Sequence, residues 1–80
     1  MARRRYRMTF PEDLITEPVI FNMGRLADVV TNIRRANVEA RAGWVVLEIE
    51  GAESEIRKAI DYAAGLGVEI DAIGGDVLEG

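Results

Sequence analysis

The stretch from Trp44 to Glu50 constrains the fold of this chain more than any other. Its residues alternate in a strict period of two, which is typical of a β-strand with one buried face. The inward set is Val45, Leu47 and Ile49, and the outward set is Trp44, Val46, Glu48 and Glu50. Such a strand needs paired neighbours and a covering layer, so the rest of the chain must supply both.

Three more strands and two helices are predicted from periodicity. The predicted strands cover residues 5–10, 29–41 and 68–73, and the sequence Arg41-Ala42-Gly43 is the predicted hairpin turn. Thr16 and Ser54 are predicted to cap the helices, and Gly65 or Gly67 to end the second helix in a left-handed conformation. Gly24 is expected to allow close packing on the sheet. The apolar helix stripes are Val19, Ile20, Met23, Leu26 and Ala27, then Ile56, Ala59, Ile60 and Ala63.

This order of elements predicts an α+β fold, a ferredoxin-like βαββαβ sandwich. Right-handed crossovers place two helices on one face of a four-stranded antiparallel sheet of order 4-1-3-2. The second strand then lies at an edge, where its many charges discourage unplanned pairing. We expect a single domain over residues 1–80, with a globular part at about 5–73 and a flexible tail at 74–80.

The composition excludes several common sources of stability and of catalytic chemistry. The 80 residues include no cysteine and no histidine, which excludes disulfides, iron–sulfur clusters and the usual zinc sites. Dimerisation is therefore the natural way to stabilise so small a core. No apolar run is long enough to span a membrane, and the basic start lacks a signal peptide's apolar stretch. We expect a cytoplasmic protein without membrane insertion.

Charge is divided unevenly between the two halves of the chain. Residues 1–41 sum to +3 and residues 42–80 to −7, which gives a net charge of −4. That balance argues against nucleic-acid binding, although Arg3, Arg4, Arg5 and Arg7 keep it open as an alternative. Two ordinarily solvated faces, or head-to-tail contacts between subunits, would also account for the asymmetry.

The usual catalytic groups are missing, so we expect no enzyme activity and no cofactor. No phosphate-binding glycine loop opens a helix. The paired carboxylates are expected to form a solvated sheet face. A Ca²⁺ or Mg²⁺ site remains the alternative for four of them, which are Glu48, Glu50, Glu69 and Asp71.

Two residues suggest binding rather than packing. Asn32, just after the predicted helix-to-strand loop, presents both a donor and an acceptor. Its alternative role is to hydrogen-bond within its own loop. Trp44 is a lone aromatic on the open face, with area to bury. If the edge strands of two subunits pair, Arg35, Asn37 and Trp44 are expected at the interface.

From Arg7 to Ile73 the chain resembles the NIL domain. The matching stretches are Met8-Thr9-Phe10-Pro11, Glu17-Pro18-Val19-Ile20, Val30-Thr31-Asn32-Ile33, Gly43 to Gly51, Ile56 to Ala63 and Val68-Glu69-Ile70. This family is best known as the regulatory C-terminal domain of the ATPase subunit of methionine importers. The resemblance implies a βαββαβ fold related to amino-acid-sensing ACT domains, a homodimer, and a methionine-like ligand.

The resemblance also implies which residues bind the ligand. They are Thr31, Asn32, Ile33 and Arg34. Asn32 and Ile33 match the Asn-Ile-Leu run that names the family, whereas Arg34 replaces its leucine. A charge there disfavours an apolar thioether and favours an anionic partner. The expected protein partner is a transporter or a sulfur-metabolism protein, and the alternative function is a ligand-free adaptor that docks a partner.

Overall fold

Four strands and two helices follow one another along the chain in the predicted order, strand, helix, strand, strand, helix, strand. The computed structural model describes residues 1–73 of the 80-residue chain, and the predicted tail at 74–80 lies outside them. The strands are β1 (Ala2–Phe10), β2 (Val29–Val38), β3 (Gly43–Gly51) and β4 (Glu69–Ala72). The helices are α1 (Val19–Leu26) and α2 (Glu53–Leu66), and a short 3-10 helix covers Glu12–Leu14.

The strands form one antiparallel sheet of order β2-β3-β1-β4, which confirms the predicted topology. β2 is an edge strand, as expected, and pairs with β3 alone among the described strands. β1 lies near the centre and pairs with both β3 and β4. β3 is therefore paired along both of its edges, with β2 and with β1.

The core fills the space between the helices and one sheet face. The inward residues of β3 are buried as its alternation predicts, and Met8 and Met23 join them. The α2 stripe is confirmed by Ile56, Ala59 and Ala63. For α1 the predicted stripe is too wide, because Leu26 is 40% exposed.

β1 begins at Ala2, three residues before the predicted start. The whole strand is in register with β3, from the pair Ala2–Gly51 to the pair Phe10–Gly43. Arg3 also pairs with acids on β3, and Arg4 with Glu53 at the start of α2. These cross-strand ion pairs explain why the basic start joins the sheet.

Both predicted side-chain caps are wrong. The N-cap residues are Pro18 and Ala52, and neither makes a side-chain cap bond. The first turn of α2 is instead tied to the chain before β2, because Glu55 Oε1 accepts the Asp28 N–H at 2.7 Å. This hydrogen bond, together with Lys58, holds the pKa of Glu55 below its ordinary value of 4.5.

β2 ends at Val38 rather than at Arg41. The turn that follows closes with a 2.8 Å bond from the Glu39 N–H to the Ala42 carbonyl, and Gly43 already belongs to β3. Within β2 the register shifts between Ile33 and Arg35, which marks a β-bulge. This bulge explains why the sequence of the strand alternates poorly.

The sequence predicts a structural role for one glycine at the end of α2 and for another within α1. Gly67, at φ 113°, is the left-handed residue that ends α2. The expected packing role of Gly24 is wrong, since nothing lies within 4 Å of a Cβ placed there. Gly24 faces solvent on the outer side of α1.

Candidate functional site

β2 divides the predicted ligand site between the two faces of the sheet. Ile33 pairs with Leu47 on the helix-covered face, whereas Asn32 pairs with Glu48 on the opposite, open face. Arg34 falls within the bulge and reaches Glu48, so its guanidinium also lies on the open face. Thr31 pairs with Ile49 on the helix-covered face, but it also borders the depression beside Asn32. The predicted residues therefore belong to two separate depressions.

The first depression, which we call the apolar groove, lies between α1 and β2. Its volume is about 270 Å³. The lining is Phe10, Ile15, Glu17, Pro18, Val19, Ile20, Phe21, Ile33, Ala36, Val38, Gly43 and Val45. Three of these apolar side chains are more than half exposed, namely Phe21, Ile33 and Val38. The groove is thus an apolar surface that is left exposed to solvent beside the edge strand β2.

Polar groups of the apolar groove are few and lie near the start of α1. Glu17 carries the only charge among its lining residues in the described chain. The Val19 N–H is bonded to the Glu17 carbonyl and the Asn22 N–H to the Pro18 carbonyl. Between them, the Ile20 and Phe21 N–H groups have no acceptor within residues 1–73. A first helical turn with free N–H groups favours a negative charge.

The second depression, which we call the open-face pocket, lies on the other side of β2. Its volume is about 380 Å³, and it is mostly polar. Its lining is Arg3, Val30, Thr31, Asn32, Arg34, Glu48 and Glu50. Three of the four predicted ligand residues are therefore here, and Ile33 alone faces the apolar groove.

Glu48 is the buried centre of the open-face pocket. Its side chain is only 10% exposed, and Arg3 Nε lies 3.0 Å from its Oε2. Arg34 Nη1 and Arg5 Nε lie 3.3 and 3.7 Å from Oε1. The expectation that this acid sits on a solvated face is therefore wrong, because three guanidinium groups cover it. The predicted first strand begins at Arg5, so sequence spacing places neither Arg3 on this face nor three arginines around Glu48.

The four acids considered as a cation site do not converge. Glu48 and Glu50 are on β3, Glu69 and Asp71 are on β4, and β1 runs between these strands with arginines on the same face. No group of three or more acidic side chains in residues 1–73 is arranged to hold a metal ion. Glu48 and Glu50 pair with arginines of β1 instead.

The three predicted interface residues share the open face near the β2–β3 turn. Trp44 pairs in register with Asn37, and Arg35 lies opposite Val46, two residues along the strand. The Arg7 guanidinium lies 4.6 Å from the centroid of the Trp44 ring, a cation–π contact that was not predicted. Arg7 therefore covers part of the apolar area that Trp44 was expected to leave free.

Comparisons with known proteins agree with the fold and with the family resemblance. The family model of the NIL domain matches residues 4–72. The methionine import ATP-binding protein MetN of Helicobacter pylori is 28% identical over 72 residues. That match covers 85% of this chain but 22% of the relative, so the chain corresponds to about a fifth of the larger protein.

A solved structure is similar over nearly the whole chain. It is the crystal structure of the C-terminal domain of an ABC transporter/ATP-binding protein from Enterococcus faecalis, with a TM-score of 0.77 and 25% identity. The alignment covers 89% of this chain and 83% of that domain. No helix among residues 1–73 is long and apolar enough to cross a membrane. With nearly all of its described residues matched by one family model, the chain belongs to the NIL domain family.

Proposed function

We propose that this chain is a non-catalytic sensing domain that binds methionine or a related amino acid in the apolar groove and acts in the cytoplasm. Family membership supports a regulatory role of this general kind. The observation that carries the choice of ligand is the groove itself, an apolar depression whose lining holds a single charged residue, Glu17. An unbranched thioether side chain suits such a surface, because it adapts to irregular apolar walls.

The size of the groove supports a ligand no larger than one amino acid. Drug-sized ligands occupy pockets of roughly 300–1,000 Å³, and this groove measures about 270 Å³. A side chain lying against Ile33 and Phe21 would remove already exposed apolar area from water. That burial gives a favourable free energy of about 25 cal/mol per Å².

The start of α1 supplies polar partners for the charged end of an amino acid. The free N–H groups of Ile20 and Phe21 suit an α-carboxylate. The Glu17 carboxylate, in the same lining, suits an α-ammonium group. In this proposal the zwitterion is bound at the helix terminus and the side chain extends toward β2.

The position of the groove beside an edge strand supports dimerisation as part of the same function. Val38, which is 61% exposed, belongs to both β2 and the groove lining. A second copy that paired along β2 would cover this residue and close the open side of the groove. Arg35, Asn37 and Trp44 would then lie close to the seam on the other face.

The relatives suggest where the sensed signal is used. One is a methionine import ATP-binding protein, and another is the C-terminal domain of an ABC transporter/ATP-binding protein. We propose that this domain acts on a transporter of that kind or on a protein of sulfur metabolism.

Calorimetry and thermal melts with L-methionine test the proposed ligand. At about 100 times the dissociation constant, a ligand stabilises the fold by about 2.7 kcal/mol, which raises the Tm by about 10–20 °C for a domain of this size. L-lysine should have little effect, because its ammonium group would be placed in an apolar groove. Absence of a shift with methionine and its close relatives would refute the proposal.

A matched pair of variants on one strand tests the position of the ligand. Ile33→Ser removes an exposed apolar wall of the groove, and we expect methionine affinity to fall about fivefold, the equivalent of about 1 kcal/mol. Val30→Ser removes a similar side chain, 67% exposed, from the other face of β2 and should leave affinity unchanged. Equal losses in the two variants would contradict binding in the groove.

A further inference from the structure

We propose that a depression beside the Trp44 indole binds a methylated ammonium group. This depression, which we call the indole pocket, lies where β2, β3 and their connecting turn meet, and its volume is about 160 Å³. Its lining is Thr9, Asn37, Glu39, Ala42, Gly43 and Trp44. It shares no lining residue with the open-face pocket and only Gly43 with the apolar groove, so it is a separate site that goes beyond the proposed function.

The aromatic wall of the indole pocket is held in place by the sheet and by an arginine. Trp44 pairs in register with Asn37 on β2 and with Thr9 on β1, and both residues also line the pocket. The Arg7 guanidinium lies 4.6 Å from the centroid of the indole ring, yet Arg7 is not part of the lining. Arg7 therefore covers one side of the ring and leaves another side to the pocket, where the π-system can attract a cation.

A single carboxylate sets the charge of the indole pocket. Glu39 is the one charged residue of its lining, and this carboxylate has no ion pair among residues 1–73. The backbone of Glu39 is fixed in the turn, because its N–H is bonded to the Ala42 carbonyl at 2.8 Å. An unpaired acid beside an aromatic wall favours a cationic ligand. The Arg7 charge on the other side of the ring weakens the attraction, so we expect millimolar rather than micromolar affinity.

The remaining lining favours a methylated ammonium group over a primary one. Much of it is non-polar, since it includes the indole ring, the Ala42 methyl group and Gly43. A primary ammonium carries three N–H donors, and leaving such donors without acceptors on burial costs free energy. A trimethylammonium group has no N–H donor and presents methyl groups to the ring, which is the way aromatic sites recognise quaternary ammonium ligands.

The volume of the indole pocket limits the group that it can hold. A water molecule occupies about 30 Å³ in the liquid, so 160 Å³ corresponds to roughly five non-hydrogen atoms. Tetramethylammonium has that number of non-hydrogen atoms, whereas a cation with longer alkyl arms exceeds it. The inferred ligand class is therefore a trimethylammonium head, either on a small choline-like molecule or on a trimethylated lysine of another protein.

Titration of the ¹⁵N-labelled chain with tetramethylammonium chloride, followed by NMR, tests the site. The chain has one tryptophan, so the Trp44 Nε1–H gives a single indole signal. We expect saturable shifts of that signal and of the Asn37 side-chain NH₂, with the Asn32 side-chain NH₂ and the Phe21 amide unchanged. tert-Butanol with sodium chloride at equal ionic strength has a similar shape without the charge and should produce no saturable shift. Equal shifts with tert-butanol, tighter binding of methylammonium, or no saturable shift with tetramethylammonium would overturn the proposal.

Variants assign the two attractive groups of the indole pocket. Glu39→Gln, at an exposed turn position, should weaken tetramethylammonium binding by about threefold, since an exposed charge pair is lost. Trp44→Leu, followed through the Asn37 signal, should weaken it by about fivefold or more. Glu50→Gln removes an acid from the same sheet face, six residues along β3 from Trp44, and should leave the affinity unchanged. If Glu39→Gln binds tetramethylammonium as tightly as the unaltered chain, the proposal fails even where Trp44→Leu does not fold.

A last comparison identifies the source of the ammonium group and keeps this site distinct from the apolar groove. A capped glycine–trimethyllysine–glycine peptide that binds more tightly than choline would indicate a modified protein as the ligand, and the reverse order would indicate a free small molecule. Ile33→Ser should leave tetramethylammonium affinity unchanged even where it lowers methionine affinity. Either proposal can therefore fail without the other.

Discussion

Replacing Glu48 by Gln should destabilise the fold more than any other single charge-neutralising change on the open face. The substitution keeps the shape of the side chain but removes the charge that Arg3, Arg5 and Arg34 surround. Because Glu48 is 8% exposed, its ion pairs are less screened than those of a surface residue.

The magnitude follows from the exposure of the partners. Hydrogen bonds to charged groups contribute about 1.5–3 kcal/mol when well shielded, and exposed ion pairs about 0.2–1 kcal/mol. The Arg3 and Arg34 side chains are 65% and 45% exposed, which places this network between the two limits. We expect a loss of about 1–2 kcal/mol, equivalent to a Tm decrease of about 4–16 °C.

Thermal melts at low and high sodium chloride measure this loss. Glu50→Gln is the matched control, because Glu50 is 43% exposed and makes one contact, at 3.6 Å from Arg3 Nη2. It should cost no more than about 0.5 kcal/mol. A double-mutant cycle of Glu48→Gln with Arg34→Gln should give a coupling of at least about 0.5 kcal/mol. Equal effects at positions 48 and 50, or no coupling, would refute the reasoning.

Three further predictions concern the backbone and pH. Gly51→Ala should destabilise the fold by about 1–3 kcal/mol in denaturant melts, because the new Cβ would lie 2.9 Å from the Asp28 carbonyl oxygen. Gly24→Ala, where space is open, should stabilise the fold by about 0.5–1 kcal/mol. Equal changes in stability at the two positions would contradict the packing described. Gly67→Ala should cost about 1–2 kcal/mol, since φ is 113° there; an unchanged Tm would contradict it. For Glu55 the folded pKa is lowered, so its stabilising effect should be complete above about pH 4.5 and be lost as pH falls through the lowered value. The Tm difference from Glu55→Ala should therefore shrink only in acid, and a difference independent of pH would contradict this assignment.

Much of the fold follows from the sequence because its elements have clear periods. The alternation around Leu47 and the stripe around Ala59 each specify a face, and their order allows few topologies. The helix caps were not predictable, because Thr16 and Ser54 have the right chemistry but other residues occupy the cap positions. The bond from Asp28 to Glu55 joins segments 27 residues apart, beyond the reach of local pattern.

The sequence predicts which residues belong to the candidate sites, but not the directions in which their side chains lie. Asn32 and Ile33 lie on opposite faces by ordinary strand alternation, but nothing in the sequence shows the bulge that puts both Arg34 and Arg35 on the open face. The burial of Glu48 also depends on three strands meeting in one register, which period alone does not give. Glu17 and Phe21 could not be predicted as groove residues, because the groove depends on the path of the chain into α1.

The bulge in β2 has a consequence for how this chain can change in length. Arg34 is supernumerary to the ladder, since Ile33 pairs with Leu47 and Arg35 with Val46, the next residue along β3. The strand would therefore alternate regularly if this one residue were deleted, and every neighbour would keep its present face. Mid-strand insertions normally reverse all that follows them. Here, at a free edge, the extra residue adds a guanidinium to the open face and leaves the order of the core intact.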